Sequence, residues 1–286
     1  MTPTVQTFFD PATFTATYLV SDPATGAAAV IDPVLDYASN SAKITTTSAQ
    51  AVLEAVRTQG LTLTLILETH AHADHLSAAS YLRSETGAAI VIGARITEVQ
   101  KYFAPIFEAD DVVPDGRSFG RLVDEGDELP LGDLTIRVIH TPGHTAADVT
   151  YLIGDAAFVG DTLFMPDYGT ARTDFPGGSA VTLYQSIRRI LSLPAETRMF
   201  VGHDYLPPGR SEPRWQTTVA EQRASNIHIH DGVTEDEFVT LRRARDATLA
   251  APALLLPALQ VNIRAGALPP RTAQGHSYLR LPVALP

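Results

Sequence analysis

The chain has no cysteine, which excludes disulfides, thiolate metal ligands and a cysteine nucleophile. Lysine is almost missing as well: Lys43 and Lys101 stand alone, and arginine carries the rest of the positive charge. The formal charge of −11 argues against nucleic acid or an anionic membrane surface as partner. No apolar run approaches the roughly 20 residues that cross a bilayer. The opening residues, Met1-Thr2-Pro3-Thr4-Val5-Gln6, lack the basic and apolar segments of a secretory leader, so a cytoplasmic protein is expected. No internal repeat is visible. The 286 residues, 45% of them hydrophobic, can bury one large core or two smaller ones.

What the chain does have is histidine in one place. Three of its nine histidines fall in Thr69-His70-Ala71-His72-Ala73-Asp74-His75, directly after the apolar run 61–67, which reads as a buried strand. If the chain stays extended past Glu68, His70 and His72 share one side, because extended side chains alternate with period two. Asp74 and His75 then sit where the chain turns into a helical pattern at 76–84. Four nitrogen and oxygen donors at one strand end suit a first-row divalent metal.

The preceding third reads as an antiparallel meander, with strands over 5–9, 15–21 and 27–31. A polar loop over 36–47 follows, then a helix capped by Ser48 and stopped by Gly60. Beyond the histidines come a strand at 89–92, a helix from 97 to about 109 and a polar connector at 117–125. Strands at 128–131 and 134–139 follow, the second running into His140-Thr141-Pro142-Gly143-His144. A hairpin of 149–153 and 156–159 runs into Gly160-Asp161, and after a helix at 179–192 the strand 198–201 runs into Gly202-His203-Asp204-Tyr205. Successive strand ends thus present His70, His72, Asp74 and His75, then His144, Asp161 and His203. Rigid strand ends are where precise sites are built.

Further on, His228 and His230 are spaced like a ligand pair but lack a carboxylate partner, and His140 and His276 read as structural or exposed. The helix expected from 234 to about 250 carries Arg242, Arg243 and Arg245, read as a solvated face. The tail 251–286, apolar at 254–256 and 259–263, is expected to pack on the core of a single domain or on a second subunit, with an extended end over 280–286.

The run His70-Ala71-His72-Ala73-Asp74-His75, with His144, Asp161 and His203, resembles the metallo-β-lactamase superfamily. The resemblance implies an αβ/βα sandwich, two mixed sheets face to face with helices outside and the metal at one edge. The segment Arg172-Thr173-Asp174-Phe175 together with Gly202-His203-Asp204-Tyr205 is similar to the persulfide dioxygenases of that superfamily. The loop 165–170 and the C-terminal stretch resemble a bacterial branch of β-lactamase-like hydrolases. By that resemblance, one Fe(II) sits on His70, His144 and Asp161. His72, Asp74, His75 and His203 then form a surrounding shell, with Asp74 and His203 organising water. Arg172 and Tyr205 face the substrate, Arg172 pairing a carboxylate or clamping its loop through Asp174. The implied partners are glutathione persulfide or a related persulfide, and O2. The alternative is a dinuclear zinc hydrolase of a thioester, lactone or β-lactam that uses all seven ligands.

Overall fold

The computed structural model describes residues 2–283; the last three of the expected extended end, 280–286, lie outside them. The chain begins with the meander β1 (Thr4–Asp10), β2 (Thr15–Ser21) and β3 (Ala27–Ile31). Then come β4 (Val34–Ala38), β5 (Lys43–Thr45), α1 (Thr47–Thr58), β6 (Thr62–Leu67), β7 (Leu76–Ser77), α2 (Ala79–Thr86), β8 (Ala89–Gly93), α3 (Ile96–Ile106) and β9 (Arg121–Val123). These build a mixed sheet in the order β1-β2-β3-β6-β8-β9, antiparallel at one end and parallel at the other.

The second half supplies β10 (Glu128–Leu131), β11 (Leu134–His140), β12 (Val149–Ile153), β13 (Ala156–Phe158), α4 (Ala180–Ile190), β14 (Arg198–Phe200) and β15 (Gln216–Thr218). Three helices close the chain: α5 (Val219–Ser225), α6 (Glu235–Asp246) and α7 (Leu255–Asn262). The second sheet runs β10 to β15 in chain order, with β13 and β14 parallel across the α4 crossover.

Alternation along the strands decides which side of a sheet each residue covers. In β3, Ala29 and Ile31 join Tyr18, Tyr151, Phe158 and Phe200 in a core between the sheets. Ala28 and Val30 point the other way, onto a layer that includes Val52 of α1, Leu82 of α2 and Leu259 of α7. The outer face of the second sheet packs Leu183 and Ile187 of α4 against Phe238 of α6. Helix, sheet, sheet, helix is the αβ/βα sandwich.

Five local expectations need correction. The polar stretch 36–47 carries the hairpin β4–β5, because Asp36 accepts from the backbone N–H and hydroxyl of Ser48 and so stitches the hairpin to α1. Ser48 is therefore inside the helix and is not its cap. The helical pattern at 76–84 opens with a short strand, β7, paired to β4. The connector at 117–125 contains β9, an edge strand too short to show alternation. Arg242 is not solvated: it is 1% exposed and bonded to Asp246 and the carbonyl of Thr170.

Candidate metal centre

Strand ends of both sheets converge on one edge of the sandwich. His70 to His75 follow β6, His144 sits in the β11–β12 loop, Asp161 follows β13, and His203 follows β14. The backbone fixes their approach. Gly202 donates to the carbonyl of Gly160 at 2.9 Å, bringing the Asp161 and His203 loops side by side. Gly160 has φ +51°, and a Cβ there would lie 2.5 Å from the hydroxyl of Thr69, so glycine is what allows the loops of the two sheets to meet.

Two ligand sets result. His70, His144 and Asp161 offer donor atoms all within 4.8 Å of one another, and so do His72, Asp74, His75 and His203. Asp161 lies between them, with Oδ2 at 3.9 Å from His70 and 3.8 Å from His144, and Oδ1 3.3 Å from His203 Nε2.

On most of these histidines the other ring nitrogen is already engaged. His144 Nδ1 faces the carbonyl of Arg172 at 2.9 Å, and His75 Nδ1 faces the carbonyl of Leu76 at 3.2 Å. His203 Nδ1 meets the hydroxyl of Thr15 at 3.3 Å, and His70 Nδ1 that of Thr69 at 3.0 Å. His72 is turned the other way, with Nε2 3.0 Å from Asp32 Oδ1, leaving Nδ1 for the centre. A carbonyl or carboxylate on one nitrogen places the proton there and leaves the other lone pair for a metal.

Buried polar atoms are almost always satisfied. Here His70 Nε2, both ring nitrogens of His72, Asp74 Oδ2, His75 Nε2, Asp161 Oδ1 and His203 Nε2 are buried without a hydrogen bond among the described residues, and all these residues belong to the two ligand sets. Metal coordination is the partner such donors lack, so the donor sets fit a metal; His70 and Asp161 belong to the first set and the others to the second.

The electrostatics agree with that reading. Burial and the neighbouring imidazoles hold His75 down to about 3 and His70 well below its ordinary value, so both are neutral, as ligands must be. Burial opposes charge on His72, but Asp32 and Glu68 outweigh it and push its pKa up to about 10. Glu68 itself is pushed up to about 8 by burial and by Asp32. A bound cation reverses that balance for His72.

Three supporting groups give no local signal in the sequence. Asp32, the residue after β3, adopts φ +48° and accepts from the backbone N–H and hydroxyl of Thr69 while facing His72. Asp148 accepts from the Thr145 backbone N–H at 2.5 Å and braces the His144 loop. Asn262, at the end of α7, donates to the carbonyls of His72 and His75 and accepts from the Ser77 N–H.

A cavity of about 350 Å³ opens onto this centre. Asp74, His144 and Asp161 floor it, and Phe14, Phe164, Tyr168, Phe175 and Tyr205 wall it. Tyr205 stacks on His203 with ring centroids 5.4 Å apart, and burial, then Asp74 and Asp161, keep its phenol protonated. Arg172 also lines the cavity, but it grips Asp174 with two hydrogen bonds of 2.6 and 2.7 Å and donates a third to the carbonyl of Ala250. His228 is not part of the centre; its Nδ1 accepts from the backbone N–H of Thr170 at 3.0 Å. His140 faces the carbonyl of Ala146.

Residues 10–203 match the family described as Metallo-beta-lactamase superfamily. Among curated relatives, a "Beta-lactamase hydrolase-like protein" of Agrobacterium fabrum is 53% identical over 98% of this chain, which spans only 65% of that longer protein. A "Probable metallo-hydrolase" of Burkholderia pseudomallei is 51% identical, covering 98% of this chain and 99% of its own. The human mitochondrial protein named persulfide dioxygenase ETHE1 is 29% identical over 92% of this chain and 88% of its own. Among solved structures, ETHE1 from Myxococcus xanthus superposes with a TM-score of 0.74 at 33% identity, covering 92% of this chain and all of that one.

Proposed function

Given that the chain belongs to the metallo-beta-lactamase superfamily, we propose that it is a metal-dependent enzyme, an Fe(II) persulfide dioxygenase acting on a small thiol-derived persulfide such as glutathione persulfide. The observation that carries the reading is the division of the ligands. His70, His144 and Asp161 form a two-histidine, one-carboxylate set, the arrangement that leaves open positions on non-haem iron, and two of the three floor the cavity. The similarity to the human and Myxococcus proteins supports the same reading.

The reaction consumes the persulfide, O2 and water and gives the thiol and sulfite. The outer sulfur gains three oxygens, the sulfur–sulfur bond breaks, and the four electrons lost by the two sulfurs go to O2. Bound Fe(II) would supply the site at which sulfur and O2 meet, and the protein does the rest. The aromatic wall excludes bulk water from the reacting sulfur. Tyr205, in the cavity wall and stacked on His203, keeps its phenolic proton as a donor. His203 and Asp74, 3.1 Å apart, orient water and take up its proton. Asp32 holds His72 in its orientation from behind.

A second reading rests on one specific feature. His72, Asp74, His75 and His203 are themselves a compact four-donor set beside Asp161, which suits a dinuclear zinc hydrolase of a thioester, lactone or β-lactam. Protein purified without oxygen and analysed for metal separates the two. One iron per chain and oxygen uptake with glutathione persulfide support the dioxygenase; two zinc ions with thioester or lactam hydrolysis and no oxygen uptake sink it.

A further inference from the structure

The cavity has a second end, away from the ligands, built by α6 and the α6–α7 connection. Arg242, Arg245, Leu249, Ala250, Pro252 and Ala253 line it there. Three arginines thus meet the cavity, and two of them are committed. Arg172 is held bidentately by Asp174, and Arg242 is buried against Asp246 at 2.7 Å. Asp246 also accepts from the backbone N–H and hydroxyl of Thr173, so the four charged groups form a closed, neutral network under the wall.

Arg245 is different. Among the described residues it makes no ion pair and no side-chain hydrogen bond; it is exposed, and its guanidinium sits 5.8 Å from the centroid of the Tyr168 ring. Tyr168 packs on Tyr205 at 5.2 Å, and Tyr205 stacks on His203. A ladder of rings therefore joins Arg245 to the metal centre along one wall. Arginine on an aromatic face keeps its N–H fork in plane and pointing outward, ready for a carboxylate. In a chain of formal charge −11, an uncompensated cation on the wall of the reaction cavity is where an acidic ligand gains most.

We propose that Arg245, seated on Tyr168, is the anchor for a carboxylate on the part of the substrate remote from the reacting sulfur, and so selects acidic thiols over neutral ones. This rests on the reading above only in taking a small thiol-derived acid as the ligand; it does not depend on which reaction follows. Arg172, closed on Asp174, then shapes the wall and leaves charge recognition to Arg245.

The test is binding, measured by titration calorimetry on the metal-loaded protein as purified, with glutathione and with its diethyl ester as probes. The wild type should bind the acid more tightly than the ester. Arg245→Ala should weaken the acid roughly tenfold, between the limits for exposed and buried charged contacts. It should bind the ester as the wild type does and lose no more than about 2–4 °C in Tm, since only the exposed contact with the Tyr168 ring is lost. Arg245→Lys should recover part of the loss, and Arg245→Glu should exceed it. Equal affinity of Arg245→Ala and wild type for the acid, equal weakening for acid and ester, or no binding of either probe by the wild type overturns the proposal. A protein that oxidises no persulfide but binds glutathione in this Arg245-dependent way refutes the proposed reaction and sustains the anchor.

Discussion

At the scale of the residue, the centre is governed by which ring nitrogen carries the proton. The carbonyls of Arg172 and Leu76 and the carboxylate of Asp32 set that choice for His144, His75 and His72. In the mononuclear reading, His144→Ala and Asp161→Ala should each abolish bound iron and oxygen uptake with glutathione persulfide, while His203→Ala keeps most of the iron. Metal analysis of the three variants checks this; a His203→Ala protein as empty as His144→Ala means a dinuclear site. Arg172 bears on the same centre through its backbone. Opening its pair with Asp174 frees the carbonyl that holds His144, so Arg172→Ala and Asp174→Ala should match each other, losing about 3–6 °C in Tm together with part of the metal. A normal Tm and full metal in Arg172→Ala would count against the clamp. The candidate ligands, which the structure brings together, were legible because their signal is local: histidines and aspartates in the loops after apolar strands. Asp32 and Asn262 were not, since each acts on a loop far from it in sequence, and Asp148, which braces its own loop through Thr145, reads in the sequence as an ordinary turn residue.

At the scale of the element, strands lying in apolar runs were readable even when short, as β10, β13 and β14 were, whereas β4, β5, β7, β9 and β15, polar or very short, were not. β9 has three residues and β7 two, and only the partner strand makes them strands. The arginines of α6 illustrate a different gap. Their spacing suggests a wet face, yet the helix turns Arg242 inward because Asp246, one turn on, neutralises it and Thr170 accepts its remaining N–H. His228 supports the same wall. Its pKa is pulled down to about 4 by burial, then by Arg242 and Arg245, against 6.5 in the unfolded chain. As pH falls, the unfolded chain takes up this proton first, so the stabilisation is whole above about pH 6.5 and drains away on descending toward 4. It amounts to a few kcal/mol at most, by order of magnitude. The Tm of wild type should exceed that of His228→Gln by more at pH 7.5 than at pH 5; a gap that stays constant refutes the assignment, and metal loss, common to both proteins, does not affect the comparison.

At the scale of the whole molecule, the sandwich converges buried carboxylates and imidazoles on one edge and leaves several without partners. Removing the metal should therefore cost stability well beyond the site. Linkage at an ion concentration about a thousand times its dissociation constant is worth about 4 kcal/mol, or a fall of roughly 10 °C in Tm on chelation, restored by adding the ion back. An unchanged Tm after complete removal, verified by metal analysis, would contradict the fit argued from the orphaned atoms.

Helix α7 ties the far end of the chain to this edge. Asn262→Ala breaks three hydrogen bonds to buried backbone of the histidine loop and should lower Tm by about 5–10 °C and weaken metal retention in dialysis. The side chain that fixes the loop lies 190 residues after His72. During synthesis at about 5–20 residues per second, the loop exists for roughly ten to forty seconds before Asn262 is made. Throughout that interval it is a pliable peptide rich in imidazole, and pliable sites follow the intrinsic order of affinities, in which copper and zinc outrank iron. Selection by shape begins only when α7 docks. The order in which the chain is made thus places the metal donors ahead of the side chain that shapes their loop.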